Sequence, residues 1–174
     1  RVTDDGWNAV GMRATASVDV WFDDAVALPL AGPGFYVERP GFWQGGAGVA
    51  ACWFGAATRL ADALRERLAE RSDSHRLAQL GEVSVALQGC AALIREAAAA
   101  IDSAPGANAM RTAMTVRLSV EATANTVLHS VGRALGAGPL CKDASLAQLY
   151  AALPVFMRQS HAERDLEAVG KLVA

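Results

Sequence analysis

The chain changes character at one place, and that place limits what it can fold into. Pro29-Leu-Ala-Gly-Pro-Gly34 is a proline- and glycine-rich connector, followed by Glu38-Arg39-Pro40. Upstream the sequence is strand-like. Downstream it is helical with few interruptions. A change of class at one point marks a junction between packing units and is a common site for a ligand cleft, so residues 29 to about 71 are where function is expected to centre.

From Ala14 to Phe22 apolar and polar residues alternate, the period of a strand with one buried face. Asp23-Asp24 supplies a turn, and Ala25–Leu28 reads as a second short strand stopped by Pro29. Two short strands do not make a stable sheet alone. They call for strands from elsewhere, and with no initiator Met before Arg1 the chain reads as the C-terminal part of a longer protein.

Past the connector, a first helix is expected from Pro40, a favourable first-turn residue, to about Arg71. Gly45, Gly46, Gly48 and Gly55 weaken its early half, which points to close approach by a neighbouring helix or, second, by a flat ligand. The charged half from Arg59 to Arg71 reads as a solvated end. Ser72-Asp-Ser74 is a turn and N-cap for a second helix, about His75 to Asp102. A third runs from about Ala109 to Leu135 and stops at Gly136-Ala-Gly138-Pro139. Asp143 or Ser145 caps a fourth to Leu153, which Pro154 interrupts, and a last helix covers about Ser160 to Leu172. The expected fold is mainly α: an up-down-up-down four-helix bundle over 35–174, preceded by a short β segment within 1–34.

The apolar fraction of 52% is ample for a buried core. The net charge of −2 comes from interleaved acids and bases, with no basic stripe to neutralise phosphates, which argues against nucleic acid as a partner. Cys52, Cys90 and Cys141 are scattered through Ala/Leu-rich contexts and read as buried thiols in a reducing cytoplasm. No apolar run reaches the roughly 20 residues of a membrane span, and no signal peptide is visible, so no membrane partner is expected. No histidine pair has ligand spacing, so no metal is expected.

His75 reads as a surface residue at a helix start, and His129 as a core or interface histidine. His161 sits in the polar cluster Phe156-Met-Arg-Gln-Ser-His-Ala-Glu-Arg-Asp165 after a helix break, where a functional role and a helix cap are equal readings. Gly136-Ala-Gly138 is a helix stop before it is a phosphate loop. Glu38-Arg39 is either a helix-start pair suited to the helix dipole or, at a cleft, a desolvated carboxylate able to accept a proton.

Gly11-Met-Arg-Ala-Thr-Ala-Ser17, Val20-Trp-Phe-Asp-Asp24 and Leu28-Pro29 form one recognisable set, Arg39-Pro40 with Gly45 and Gly48 a second, and Leu135-Gly136-Ala-Gly138 a third. Together they resemble the acyl-CoA dehydrogenase flavoprotein superfamily. The first set is similar to the end of its middle β-domain, the second to the start of its C-terminal bundle, and the third to its glycine loop, with Leu135 replacing the first glycine. The resemblance implies residues 1–34 as the end of that β-domain and 35–174 as the bundle domain. It implies FAD-dependent oxidation of an acyl-CoA at the α,β bond, in cytoplasmic fatty acid metabolism, by a homotetramer or homodimer joined through the bundle. This fragment alone is then expected to be inactive.

The resemblance also assigns roles. The family's usual catalytic glutamate falls on Gln159, which cannot accept a proton. The alternative base position, just before the arginine that opens the bundle, is Glu38, with Arg39 positioning the substrate. Gly136 and Gly138 would touch the FAD of a neighbouring subunit, Arg71 would replace the arginine of a lost flavin-contact motif, and Gln159 and His161 would lie on the flavin side. Two other expectations accompany this one. A flavin monooxygenase of the same fold would place His161 near the flavin, and a non-catalytic homologue would use the bundle as an assembly scaffold.

Overall fold

The computed structural model describes residues 1–3 and 6–174. The chain is mainly helical: α1 (Phe35–Glu38), α2 (Pro40–Glu70), α3 (Ser74–Ser103), α4 (Met110–Leu135), α5 (Ala137–Lys142), α6 (Ala144–Met157) and α7 (Glu163–Val173). Local chemistry sets the boundaries. Pro40 opens α2, and Arg39, ahead of it, is extended at φ −64°, ψ 141°, the region a following proline enforces. The Asp73 carboxylate caps α3 by accepting the Arg76 N–H at 2.9 Å, and Asp143 caps α6 through the Leu146 N–H at 3.1 Å. Gly136, at φ 67°, ends α4 in a conformation that favours glycine.

Hydrogen bonds between helices fix their directions. Gln44 donates to the Pro105 carbonyl at 2.8 Å and Arg117 to the Gly46 carbonyl at 3.1 Å, so α2 and α4 start at the same end and run the same way. α3 returns between them in sequence and packs on both, held to α4 by the Ser130 hydroxyl donating to the Glu82 carboxylate at 2.6 Å. α6 runs opposite to α4: Tyr150 donates to the Leu128 carbonyl at 2.8 Å, while Arg117 reaches the Gln159 carbonyl at 2.8 Å. The shared core contains Trp53, Leu60, Leu64, Val83, Val127 and Leu153.

Several expectations change. Residues 14–22 do not form a strand; Arg13–Thr15 is a single 3-10 turn, and among the described residues pairing is confined to one antiparallel bridge between Val2 and Val20. The segment 25–28 has no regular structure either. Phe22 (82% exposed), Val26 (97%) and Leu28 (89%) have no surface to bury against, and a period-two pattern yields a strand only when one face is covered. Pro154 does not interrupt α6, which carries it inside and continues to Met157, without the bond that a residue with an N–H would donate to the Tyr150 carbonyl. Gly136-Ala-Gly138-Pro139 stops α4 but opens α5 at once, since Pro139 is tolerated in a first turn.

The half of α2 from Arg59 onward is not merely a solvated end; Leu60, Ala61, Ala63, Leu64 and Leu68 are buried while its charges face outward. Only Cys90 is buried; Cys52 and Cys141 lie on outer helix faces. Burial pushes the Cys90 thiol up, against a lowering hydrogen bond with Thr123, so it is the less reactive of the three. His129 is exposed one turn from Arg133, not in the core. Among the described residues α3 is long and apolar enough to cross a membrane by length and composition, contrary to the reading of its sequence, because its many alanines add to Val83, Val85, Leu87, Cys90, Leu93 and Ile94 in raising its mean hydropathy. Its Val83, Leu87, Cys90 and Ala97 are nonetheless packed into the core.

Leu64→Ala is expected to cost about 2–5 kcal/mol in denaturant unfolding, and Val85→Ala, at a position 74% exposed, within about 0.5 kcal/mol. The Arg76 backbone N–H holds the Asp73 carboxyl below the usual range. Its contribution is therefore present above the ordinary carboxylate pKa and lost as pH falls through the lowered value. Asp73→Asn, which keeps the cap acceptor, should flatten that acid limb of the stability profile.

Candidate functional site

The site forms where the start of α2 meets the start of α4 and the α6–α7 loop. The extended Arg39 swings α1 across the end of α2 and brings Tyr36 over its first turn. The Arg39 Nε donates to the Tyr36 carbonyl at 3.1 Å, and its guanidinium lies over the Tyr36 ring, 4.5 Å from the centroid. Tyr36, Phe42 and Trp43 follow edge to face, with centroids 5.9 Å and 5.3 Å apart. These groups wall a cavity of about 490 Å³ whose other lining includes Gly45, Gly46, Met114, Arg117, Gln159, His161 and Asp165.

Arg117 is a half-buried cation there, near the more deeply buried Asp165. Its guanidinium lies 4.8 Å from the centre of the fully buried Trp53 ring and donates to the Gly46 and Gln159 carbonyls. Burial lowers its pKa, while the negative charges of Asp165 and Glu121 oppose that shift. The α6–α7 loop is tied down from its own side. Buried Asp165 accepts the His161 backbone N–H at 3.1 Å through Oδ2, and its Oδ1 lies 3.6 Å from His161 Nδ1. Ala162 sits at φ 45°, a strained conformation for an L-residue, next to the imidazole that borders the cavity.

The residues expected from the sequence divide into groups. Arg39, Gln159 and His161 border one cavity. Glu38 lies outside it, in a neighbouring cleft of about 320 Å³ that shares Trp43 and adds Asn108, with its carboxylate folded against Gly34. Gly136 and Gly138 are exposed beyond the far end of α4, roughly 30 Å along the helix from Met114, and Arg71 follows the far end of α2. The glycines of α2 do not mark close helix packing. An added Cβ would meet nothing within 4 Å at Gly45, Gly48 or Gly55, and at Gly46 only Arg117 Cδ at 3.9 Å. Gly45 and Gly46 instead leave the cavity open.

A larger groove of about 780 Å³ lies between α4, α6 and α7, but its charged partners Glu121 and Arg158 are satisfied by each other. The smaller cavity collects more unlike polar groups, and chemistry is better placed there. Among the described residues no group of three or more His, Cys, Asp or Glu is placed to hold a metal ion.

Arg117 and Asp165 were not singled out from the sequence. The available signal was Arg117 and Glu121, four residues apart on the face of α4 that also carries buried Ala113, Met114, Val120 and Ala124. Arg117→Gln is expected to cost about 1.5–3 kcal/mol, the scale of hydrogen bonds made by a charged group. The loss should appear as a lower unfolding midpoint together with faster amide exchange at Gln159–Ala162.

Comparison of the chain with models of known protein families found no match, and comparison with curated proteins found none either.

Proposed function

We propose that this chain is the C-terminal part of an acyl-CoA dehydrogenase-like flavoprotein that oxidises an acyl-CoA thioester at its α,β bond. The observation that carries the reading is the convergence of Arg39 with Gln159 and His161, from two segments about 120 residues apart in sequence, on one aromatic-walled cavity. Helices α2, α3, α4 and α6 in alternating directions support a four-helix bundle over 35–174. The exposed Val10, Phe22, Val26, Leu28 and Leu30 support residues 1–34 as the end of a β-domain whose other strands would cover them.

The lining fits a flat, polar-edged ring such as that of FAD. Gly45 and Gly46 leave room that side chains would occupy, Tyr36, Phe42 and Trp43 offer ring faces and edges, and Gln159 and His161 offer polar contacts. Bound FAD would supply the hydride acceptor. Arg39 is placed to bind and orient an anionic or carbonyl-bearing substrate, and Arg117 contributes positive potential from the cavity floor. Glu38 and His161 are the nearby proton acceptors, one in the adjoining cleft and one on the cavity itself. Gly136, Gly138 and Arg71, all far from this cavity, suit contacts to the flavin of another subunit in a homo-oligomer assembled through the bundle. A cytoplasmic enzyme of fatty acid metabolism follows from the same reading.

A flavin monooxygenase is the second reading, favoured by His161 on the cavity beside Gln159. The visible spectrum of the full-length protein separates them. Anaerobic acyl-CoA should bleach the flavin band of a dehydrogenase. A band that ignores every acyl-CoA but responds to external reductant and oxygen would shift the assignment to the oxygenase, and no flavin at all would leave the scaffold. Within the dehydrogenase reading, Gly45→Leu should fill the cavity and weaken acyl-CoA binding at least about tenfold. The midpoint of unfolding should not fall, because glycine is the poorer helix former and the position is open.

A further inference from the structure

We infer that His161 is the proton acceptor of the cavity and that Asp165 is the residue that orients it. The inference rests on the acyl-thioester reading for its substrate and on the geometry of the α6–α7 loop for its residues. Asp165 is 8% exposed, and its two oxygens are turned to the same residue: Oδ2 takes the His161 backbone N–H at 3.1 Å, and Oδ1 lies 3.6 Å from the imidazole Nδ1. The Ser160 hydroxyl, also buried, accepts the Ala162 N–H at 3.3 Å, so the loop on both sides of His161 is held. A helix-start cap explains the Oδ2 bond. It does not explain the second oxygen facing the ring.

A carboxylate 3.6 Å from Nδ1, just outside hydrogen-bond distance, favours by its charge the tautomer that carries the proton there, and a small closure of the pair would leave the Nε2 lone pair free. Among the described residues Nε2 has no hydrogen-bond partner; the side chain is 66% exposed, and His161 is one of the residues that line the cavity. This is the base-and-orienter arrangement of general-base sites, in which the acceptor faces the substrate and a buried acid fixes its tautomer. The other charges facing the cavity are Arg39 and Arg117, both positive and suited to a developing enolate. Glu38 opens on a different cleft and would have to rotate away from Gly34 to compete.

The step is a simple transfer. The α-C–H bond of the thioester breaks, its electron pair moves into the thioester carbonyl as an enolate, and the proton goes to His161 Nε2. Without hydride loss the reverse step returns a solvent-derived proton, so in D2O the α-C–H becomes C–D and no oxidant is consumed.

The test follows α-deuteration of butyryl-CoA by the full-length protein, anaerobically, together with ¹⁵N spectra of its histidines. His161→Gln, at an exposed side chain, is expected to slow exchange at least about 100-fold, while His129→Gln exchanges at the wild-type rate. Asp165→Asn should slow exchange and move His161 away from a dominant Nδ1–H tautomer, a signature that a purely structural cap would not alter. Wild-type exchange in His161→Gln overturns the assignment, as does loss of exchange in Glu38→Gln with His161→Gln unaffected. If Asp165→Asn does not fold, His161→Gln decides the acceptor and Asp165→Glu the orienter. A wild-type protein that neither bleaches nor exchanges with butyryl-CoA or longer acyl-CoAs would sink the dehydrogenase reading. The pair would then be judged on the ¹⁵N spectra alone, with a tautomer insensitive to Asp165 overturning it.

Discussion

The Arg117 guanidinium is the contact on which the site depends. It is a half-buried cation that spans three parts of the chain at once, lying on the Trp53 ring of α2 while donating to Gly46 in the same helix and to Gln159 beyond α6. Removing such a charge from water is costly, and the cost is offset only because the planar, multi-donor head meets two carbonyls and an aromatic face together. A lysine could not make the same set of contacts. One side chain therefore joins the early turns of α2 and α4 to the loop carrying His161, which is why that loop has a defined position at the cavity.

The cavity's other wall comes from backbone restriction. Proline at position 40 keeps Arg39 extended, so α1 cannot continue into α2 and crosses its end instead. That crossing sets Tyr36 against Phe42 and Arg39 over Tyr36. The apolar contacts that stabilise the helices lie further along, through Leu60, Leu64, Val83 and Val127. Structure and site are thus separated along the helices: one end is aromatic, open and charged, and the middle is packed and dry. Such separation lets cavity residues vary at small cost to the core.

Much of the helical architecture was legible. Apolar residues at helical spacing and the capping residues Asp73 and Asp143 placed the long helices to within a residue or two. The upstream segment was not, because alternation in Ala14–Phe22 describes a face that needs a partner, and the described residues offer only the Val2–Val20 bridge. Cysteine burial and the core reading of His129 were misjudged for a similar reason: Cys52 and His129 occupy helices whose periodicity was recognised but whose inward face is chosen by neighbouring helices, while Cys141 sits in α5, which the sequence did not announce. Of the residues at the cavity, Arg39 and Gln159 were singled out through the resemblance and His161 through its polar cluster as well, whereas Asp165 was named only as the end of that cluster and Arg117 stands in a run that reads as ordinary amphipathic helix.

By itself the sequence determined what is local: a helical chain after Pro40, its caps and breaks, and the polar segment that ends in Asp165. These follow from backbone sterics and from side chains acting on neighbours within a turn. Only the tertiary structure decided that Gly45 and Gly46 open onto a cavity, that Glu38 faces a different cleft from His161, and that Arg117 closes the site from below. Those outcomes depend on which helix faces meet and in what direction. The energy that selects them is the burial of Trp53, Leu64 and Leu153 against partners far away in sequence, and no local pattern encodes it.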